Sequence, residues 1–160
     1  SFARAVMGPY AGAQRYQALT TEQEKTEFRA RVQRFSETFK RGLVETYAKG
    51  LLKFDGQKIE TVPSRKGDDV ASGNVAVLQN IYGAADKPYV IRYTMKKREG
   101  VWKLHNVIIE GINLGQTYRS QFASAADQHS GDLDKVIANW RVEPQLAVAK
   151  DEAVKAGATP

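Results

Sequence analysis

The sequence predicts an α+β domain in which a four-stranded, curved antiparallel sheet packs against several helices. Three observations predict it. From Thr21 to about Lys49, apolar side chains recur every three or four residues, which is helical spacing. Between Ile59 and Ile109 the apolar period falls to two, with short connections that favour a meander. The stretch from Gly100 to Phe122, GVWKLHNVIIEGINLGQTYRSQF, then reads as a strand that turns at Gly111 into a second amphipathic helix. Helices before and after a meander form layers on one sheet.

Composition narrows the function class. A chain of 160 residues fits one domain, here 1–144, with an alanine- and lysine-rich tail, helical or disordered, at 145–160. Hydrophobic residues make up 42% and charged residues 26%, ordinary for a soluble globular domain. No apolar run approaches the ~18 residues of a membrane span. Cysteine is absent, which excludes disulfides and thiolate metal sites. The net charge of +6 favours anionic partners. The chain begins at Ser1 with Phe2 already in a helical pattern, so we expect a removed N-terminal segment, and any targeting signal with it.

The elements follow in order. Residues 2–18 read as a short helix carrying Phe2, Val6, Met7 and Tyr10, kinked at Gly8-Pro9 because proline lacks an amide donor and disfavours helix in its predecessor. Thr20 with Gln23, or Thr21 with Glu24, forms a capping box for the longest helix. That helix carries the stripe Phe28, Val32, Phe35, Phe39, Leu43, Tyr47 and Leu51, and at about 43 Å it invites a bend at Gly42. Its stripe serves equally as packed core or as one wall of a cavity. Strands follow around Ile59–Val62, Gly73–Tyr82, Tyr89–Lys96 and Val101–Glu110, with polar loops RKGDD and GAADKP and a hairpin at KKREG. A helix beginning near Asn113 carries Leu114, Tyr118 and Phe122. The last helix starts at Ser130-Gly131-Asp132, carries Leu133, Val136, Ile137 and Trp140, and is ended or kinked by Pro144.

No enzyme constellation emerges. The two histidines, His105 and His129, stand apart, with His105 expected on an outer strand face beside Lys103. Neither a zinc-type spacing nor a phosphate loop nor a nucleophile elbow is present, and no cofactor is implied. Asp68-Asp69 falls in a polar loop, and Glu110 reads as a cap for the helix that follows. Arg92, Lys96, Lys97, Arg98 and Lys103 gather on one hairpin near Tyr93 and Trp102. Alternation puts most aromatics on the other face, so a basic docking patch fits better than nucleic-acid binding. A surplus of large apolar side chains without chemistry suits a carrier of an apolar ligand, although a filled core leaves the same pattern.

Four landmarks then carry a resemblance: FARAVMGPY followed by LTTEQEKTEF, the helix FRARVQRFSETFKRGLVETY, the strand-to-helix motif NVIIEGINLGQTYRSQF, and GDLDKVIANW. Over roughly Phe2–Trp140 the chain resembles the MlaC family of periplasmic phospholipid-binding proteins, also called toluene-tolerance proteins. Family members carry further helical sequence before the point matching Phe2, so part of a wall or lid is expected to be missing here. The resemblance implies an apolar cavity between sheet and helices. It also implies a periplasmic, non-enzymatic carrier whose cargo is a diacyl phospholipid. Such a carrier shuttles lipid between an outer-membrane lipoprotein complex and an inner-membrane ABC transporter, maintaining outer-membrane lipid asymmetry. The expected cavity is lined by Val6, Tyr10, Phe28, Val32, Phe35, Phe39, Leu43 and Tyr47 from the helices. Val75, Val77, Tyr93, Met95, Trp102, Leu104 and Ile108 line it from the sheet, with Leu114, Tyr118 and Phe122 closing it. Lys96, Lys97 and Arg98 are the expected docking residues. The alternatives are a small-molecule-binding or enzymatic domain of the nuclear-transport-factor-like type, which needs a pocket-facing acid or histidine, and a basic adaptor for protein or nucleic acid with a solid core.

Overall fold

Gly8-Pro9 does more than kink the first helix. In the computed structural model, α1 (Phe2–Met7) ends there, a 3-10 turn covers Gly8–Ala11, and α2 (Ala13–Gln17) follows. Gly8 takes a φ of 55°, which glycine adopts without steric cost. The structure describes residues 2–51, 58–63, 70–82 and 87–143. The RKGDD loop, most of the GAADKP turn, Pro144, the 145–160 tail and the side chain of Leu51 lie outside the described residues.

The capping box forms at Thr21. Its hydroxyl accepts from the Glu24 amide at 3.1 Å, and the Glu24 carboxylate accepts from the Thr21 amide at 2.9 Å. From it α3 runs over Glu22–Leu51, 30 residues, continuous through Gly42. That glycine serves packing: a Cβ there would lie 2.6 Å from Val142 Cγ2. The absent side chain lets the segment after the last helix lie against α3, where the Thr46 hydroxyl donates to the Val142 carbonyl at 2.9 Å.

Strands β1 (Ile59–Val62), β2 (Asn74–Ile81), β3 (Tyr89–Arg98), β4 (Val101–Ile109) and β5 (Ile112–Asn113) form one open antiparallel sheet in the order β1-β2-β3-β4-β5. The fold is thus α+β as expected, with a fifth strand where four were expected. The addition has a local cause. Glu110 and Gly111 both take positive φ, 48° and 81°, so the chain reverses in a two-residue hairpin before entering the helix. Glu99 and Gly100, at 51° and 79°, make the same turn between β3 and β4. Glu110 is therefore a turn residue and not a helix cap. Its carboxylate accepts from the Val90 amide, and its own amide donates to the Val90 carbonyl.

Asn113 is the cap of α4 (Leu114–Gln128), accepting from the Gln116 amide at 3.0 Å. Asn106 on β4 braces this junction. Its Oδ1 accepts from the amides of Val107 and Gly115, and its Nδ2 donates to Asn113 Oδ1 at 2.9 Å. The last helix, α5 (Leu133–Asn139), is capped by Asp132, and Trp140 already has extended backbone.

The core is mostly helical. Phe35 stands edge-on to Phe122 at 4.8 Å and to Trp140 at 5.2 Å, while Phe39 meets Tyr118 at 5.2 Å and Phe2 at 5.5 Å. The sheet contributes only one buried described residue, Val107. On the surface, Asp134 ties α5 to α3 through Arg31, at 2.8 Å, and Arg34.

Two predictions follow from this packing. A Cβ on Gly115 would overlap Asn106 Oδ1 and reach 3.0 Å from its Cγ. The Asn106 amide is fixed by three hydrogen bonds and cannot swing away. Gly115→Ala should therefore lower stability by about 1–3 kcal/mol, measured by chemical denaturation, whereas the exposed Gln116→Ala should not. Hydrogen bonding to Arg31, and then to Arg34, holds the Asp134 carboxyl down at about 2, below the usual aspartate value of 3.8. A depressed folded-state pKa adds stability above about pH 4 that is lost as pH falls toward 2. Because Asp134 is half exposed, the contribution should stay below about 1 kcal/mol. Asp134→Asn should remove it, so that melting temperatures of variant and parent converge between pH 5 and pH 2.

Candidate ligand-binding face

Period-two alternation assigns Val75 and Val77 of β2 and Ile91, Tyr93 and Met95 of β3 to one face. The register pairs Val75 with Met95, Val77 with Tyr93 and Gln79 with Ile91. On the other side of β3, Ile91 pairs with Ile109 and Tyr93 with Val107. The ladder then slips: Thr94 pairs with Asn106 but Met95 pairs with Leu104, leaving His105 as a β-bulge. The extra residue changes which parity of β4 faces inward. Val107 and Ile109 face inward above the bulge, and Leu104 and Trp102 below it.

The result is a continuous apolar face built from Val75, Val77, Ile91, Tyr93, Met95 and Leu104, with Trp102 at one end. Ile91, Tyr93, Leu104 and Ile109 pack in part against the helical core. Yet no residue of β2 or β3 is buried. The Tyr93 ring is covered enough that burial raises its hydroxyl pKa above the usual tyrosine value. The face turns polar at Gln79 and Thr61, which are cross-strand partners with a 3.3 Å hydrogen bond between their side chains.

The structure divides the residues expected to line a cavity. Val6, Phe35, Phe39, Leu114, Tyr118 and Phe122 are buried in the helical core. Phe28 is buried too, beside the Tyr16 ring at 5.4 Å. Val32, Leu43, Tyr10 and Tyr47 are half-buried along the helices, as are Val75, Val77, Tyr93, Met95, Trp102 and Leu104 on the sheet. The Tyr47 hydroxyl lies 3.0 Å from that of Tyr118, which in turn donates to the Glu143 carbonyl at 3.3 Å. Burial, and next the hydrogen bond to Tyr47, push the Tyr118 hydroxyl well above the usual tyrosine range, so it stays protonated.

Ile108 is not brought together with the others. It pairs with Arg92 and lies on the opposite face. Sequence reasoning missed Ile91, Val107, Ile109 and Ile112. Ile91 shares the parity of Tyr93 and was there to be read, whereas Val107 and Ile109 are set by the bulge. Alternation also splits the expected docking patch. Lys97 is on the same face as Trp102, its ammonium 5.9 Å from the ring centroid, while Lys96 and Arg98 are on the other. Among the described residues no cluster of histidine and carboxylate side chains could hold a metal ion, and no helix is long and apolar enough to cross a membrane.

This architecture has known relatives. The chain is 40% identical over 122 residues to toluene tolerance protein ttg2D of Pseudomonas putida, a match covering 76% of this chain. The chain spans about half the length of that relative, 54%. A phospholipid-binding protein of Ralstonia solanacearum, solved in complex with a phospholipid, superposes with a TM-score of 0.61 at 25% identity, over 86% of this chain and 73% of its own. The sequence model of the family described as MlaC protein matches residues 2–142, nearly the whole described chain, and by that match the chain belongs to the MlaC family.

Proposed function

We propose that this chain is a phospholipid carrier that shelters acyl chains between the apolar face of its sheet and the helices. One observation carries the reading. The residues that should be the core of a four- or five-stranded sheet, from Val75 and Val77 to Tyr93 and Met95, are apolar yet only half covered by protein. Apolar surface that a protein leaves half covered is expected of a site whose occupant completes it. The Ralstonia relative, whose structure holds a phospholipid, supports a lipid occupant.

The energetics require a carrier of this type. Burial is worth about 0.8 kcal/mol per methylene, so two acyl chains represent on the order of 20 kcal/mol against bare water. Lipid therefore does not cross an aqueous gap unaided at a useful rate. An apolar face removes that cost, and a polar margin such as Gln79 and Thr61 lets the headgroup stay hydrated. No group in this arrangement needs to do chemistry on the cargo.

The family membership supports a periplasmic setting. There the carrier would exchange lipid with an outer-membrane lipoprotein complex and an inner-membrane ABC transporter, and so maintain lipid asymmetry. The toluene-tolerance name of the Pseudomonas relative fits that role, because solvent resistance depends on the outer leaflet.

Native mass spectrometry of the purified protein, followed by organic extraction, tests the proposal. Phospholipid should copurify at a fixed ratio or load from liposomes. Val77→Glu places a carboxylate in the middle of the face, where lipid would bury it unpaired. It should reduce loading at least about tenfold while leaving the far-ultraviolet circular dichroism unchanged, since Val77 is not part of the packed core. Full loading of Val77→Glu, or a protein that stays empty after incubation with liposomes, would overturn the assignment of this face.

A further inference from the structure

The sheet has a second unfilled feature. Strand β5 pairs only with Ile108 and Ile109, because Asn113 turns the chain into α4 after two residues. Just below, the Asn106 side chain takes the Val107 amide and closes that part of the edge. From Val101 to His105, no strand among the described residues pairs with the outer edge of β4. Across from this edge stand α1 and the 3-10 turn. Between them lies a groove of about 700 Å³, with Ala5, Gly8 and Pro9 on one side and Lys103, Leu104 and His105 on the other.

The groove is strongly basic. Lys96, Arg98, Lys103, Arg4 and Arg119 all line it, against a single acid, Glu99. Lys96 and Lys103 are direct cross-strand partners, an arrangement that costs stability unless an anion lies between them. Arg119 is held in place from below, its Nε donating to the Ala5 carbonyl at 2.9 Å and its methylenes lying over Gly8. Burial first, and then the fields of Lys96, Arg119 and Arg98, keep the His105 pKa below its usual value. Among the described residues no ion pair neutralises Lys96, Arg98, Lys103 or Arg119.

We propose that this groove docks an extended acidic segment of a partner polypeptide, which adds as a strand to the free edge of β4 at Val101–His105. Strand addition supplies main-chain hydrogen bonds from the regular stretch Val101–Leu104 below the bulge, and side chains alternating along the segment reach the cations on one side. An open strand edge would also invite a second copy of this chain. The chain's net charge of +6 and the lysines beside the edge oppose that and select an acidic strand instead. Of the residues named for the cargo face the groove shares only Leu104, and its cations Lys96 and Lys103 lie on the other side of the sheet, so the proposal does not depend on what that face holds.

Fluorescence anisotropy with a labelled peptide of about eight residues, alternating glutamate and valine, tests it on the full chain. Binding should weaken at least about fivefold between 50 and 200 mM salt. The double variant Lys96→Gln/Lys103→Gln should weaken it about tenfold, while lipid loading stays as in the parent. A peptide alternating glutamate and proline has the same charge but loses every second amide donor and is locked by proline out of regular strand geometry, and should bind at least about fivefold more weakly. Amide chemical-shift changes should centre on Val101–Val107 and α1. Equal affinity for the proline peptide would overturn strand addition. Three further outcomes would overturn the acidic-segment assignment: no peptide binding, binding unaffected by the double variant, or preference for phosphatidylglycerol vesicles or inorganic phosphate over the peptide. Concentration-dependent dimerisation through the same residues would overturn it in favour of a second copy.

Discussion

The fold depends on a cluster of aromatic rings that the helices complete almost without the sheet. Phe35 alone meets Phe39, Phe122 and Trp140, and these rings in turn meet Tyr118, Phe2 and Tyr10. Each large side chain buried this way contributes about 1.5–3 kcal/mol, with edge-to-face pairs adding about 0.5–1.5. Helices α1, α3, α4 and α5 are thereby fixed to one another, and β4 is anchored to them through Val107. Strand β3 adds only the half-buried Ile91 and Tyr93 to that packing, and β2 is left to hang from β3 by main-chain hydrogen bonding. Much of their apolar face is thus outside the core, and this is the condition under which it can be left for something else.

Closing that core creates a tension at its far end. Trp140 is buried among Phe35, Phe39 and Phe122, and its indole N–H has no partner in the described structure. Such a donor costs about 1–3 kcal/mol, which the packing of the ring must outweigh. The residues after it repay some of that through backbone contacts. Val142 lies on Gly42, its carbonyl accepts from Thr46, and the Glu143 carbonyl accepts from Tyr118. Tyr118, linked also to Tyr47, thus connects α3, α4 and the final segment by hydrogen bonds at the border of the half-covered region. Its raised pKa keeps that link protonated and intact through the ordinary pH range.

Much of this was legible in the sequence, because much of it is set locally. The capping box at Thr21, the helical stripes, the break at Gly8-Pro9 and the meander all follow from spacing and from the chemistry of single residues. What failed depended on contacts between distant parts of the chain. Gly42 looks like a bend in isolation, and only Val142, 100 residues later, shows why a side chain is excluded. Glu110 looks like a cap until its φ is known, since glutamate before glycine serves either purpose. The candidate site was half legible for one reason. Strict alternation selects Trp102, Leu104 and Ile108 on β4, but a single extra residue at His105 moves the inward set to Val107 and Ile109 above the bulge. No periodicity announces a bulge, and a slip of one residue exchanges the two faces. Nor does a hydrophobic stripe say whether it is filled. The phenylalanines of α3 went to the core, and the aliphatic and tyrosine positions of β2 and β3 did not.

The same bulge gives β4 two roles. Below it, Leu104 and Trp102 extend the apolar face, while Lys103 joins Lys96 at the basic groove on the other side. On the proposed reading, cargo and partner therefore meet the same strand largely from different sides, with Leu104 the one named residue at both surfaces. A carrier that had to vacate its apolar face before a partner could dock would expose lipid to water during every transfer. That exposure costs a sizeable part of the ~20 kcal/mol that makes a carrier necessary. A docking site that leaves the cargo face covered avoids it: the partner can be recognised first, by charge, while the lipid is still enclosed. The alternation of a ten-residue strand, β3, is enough to arrange this. It sends Lys97 to stand beside Trp102 on the cargo side and Lys96 and Arg98 to the groove, so three consecutive cations that look like one patch in the sequence belong to two surfaces with different tasks.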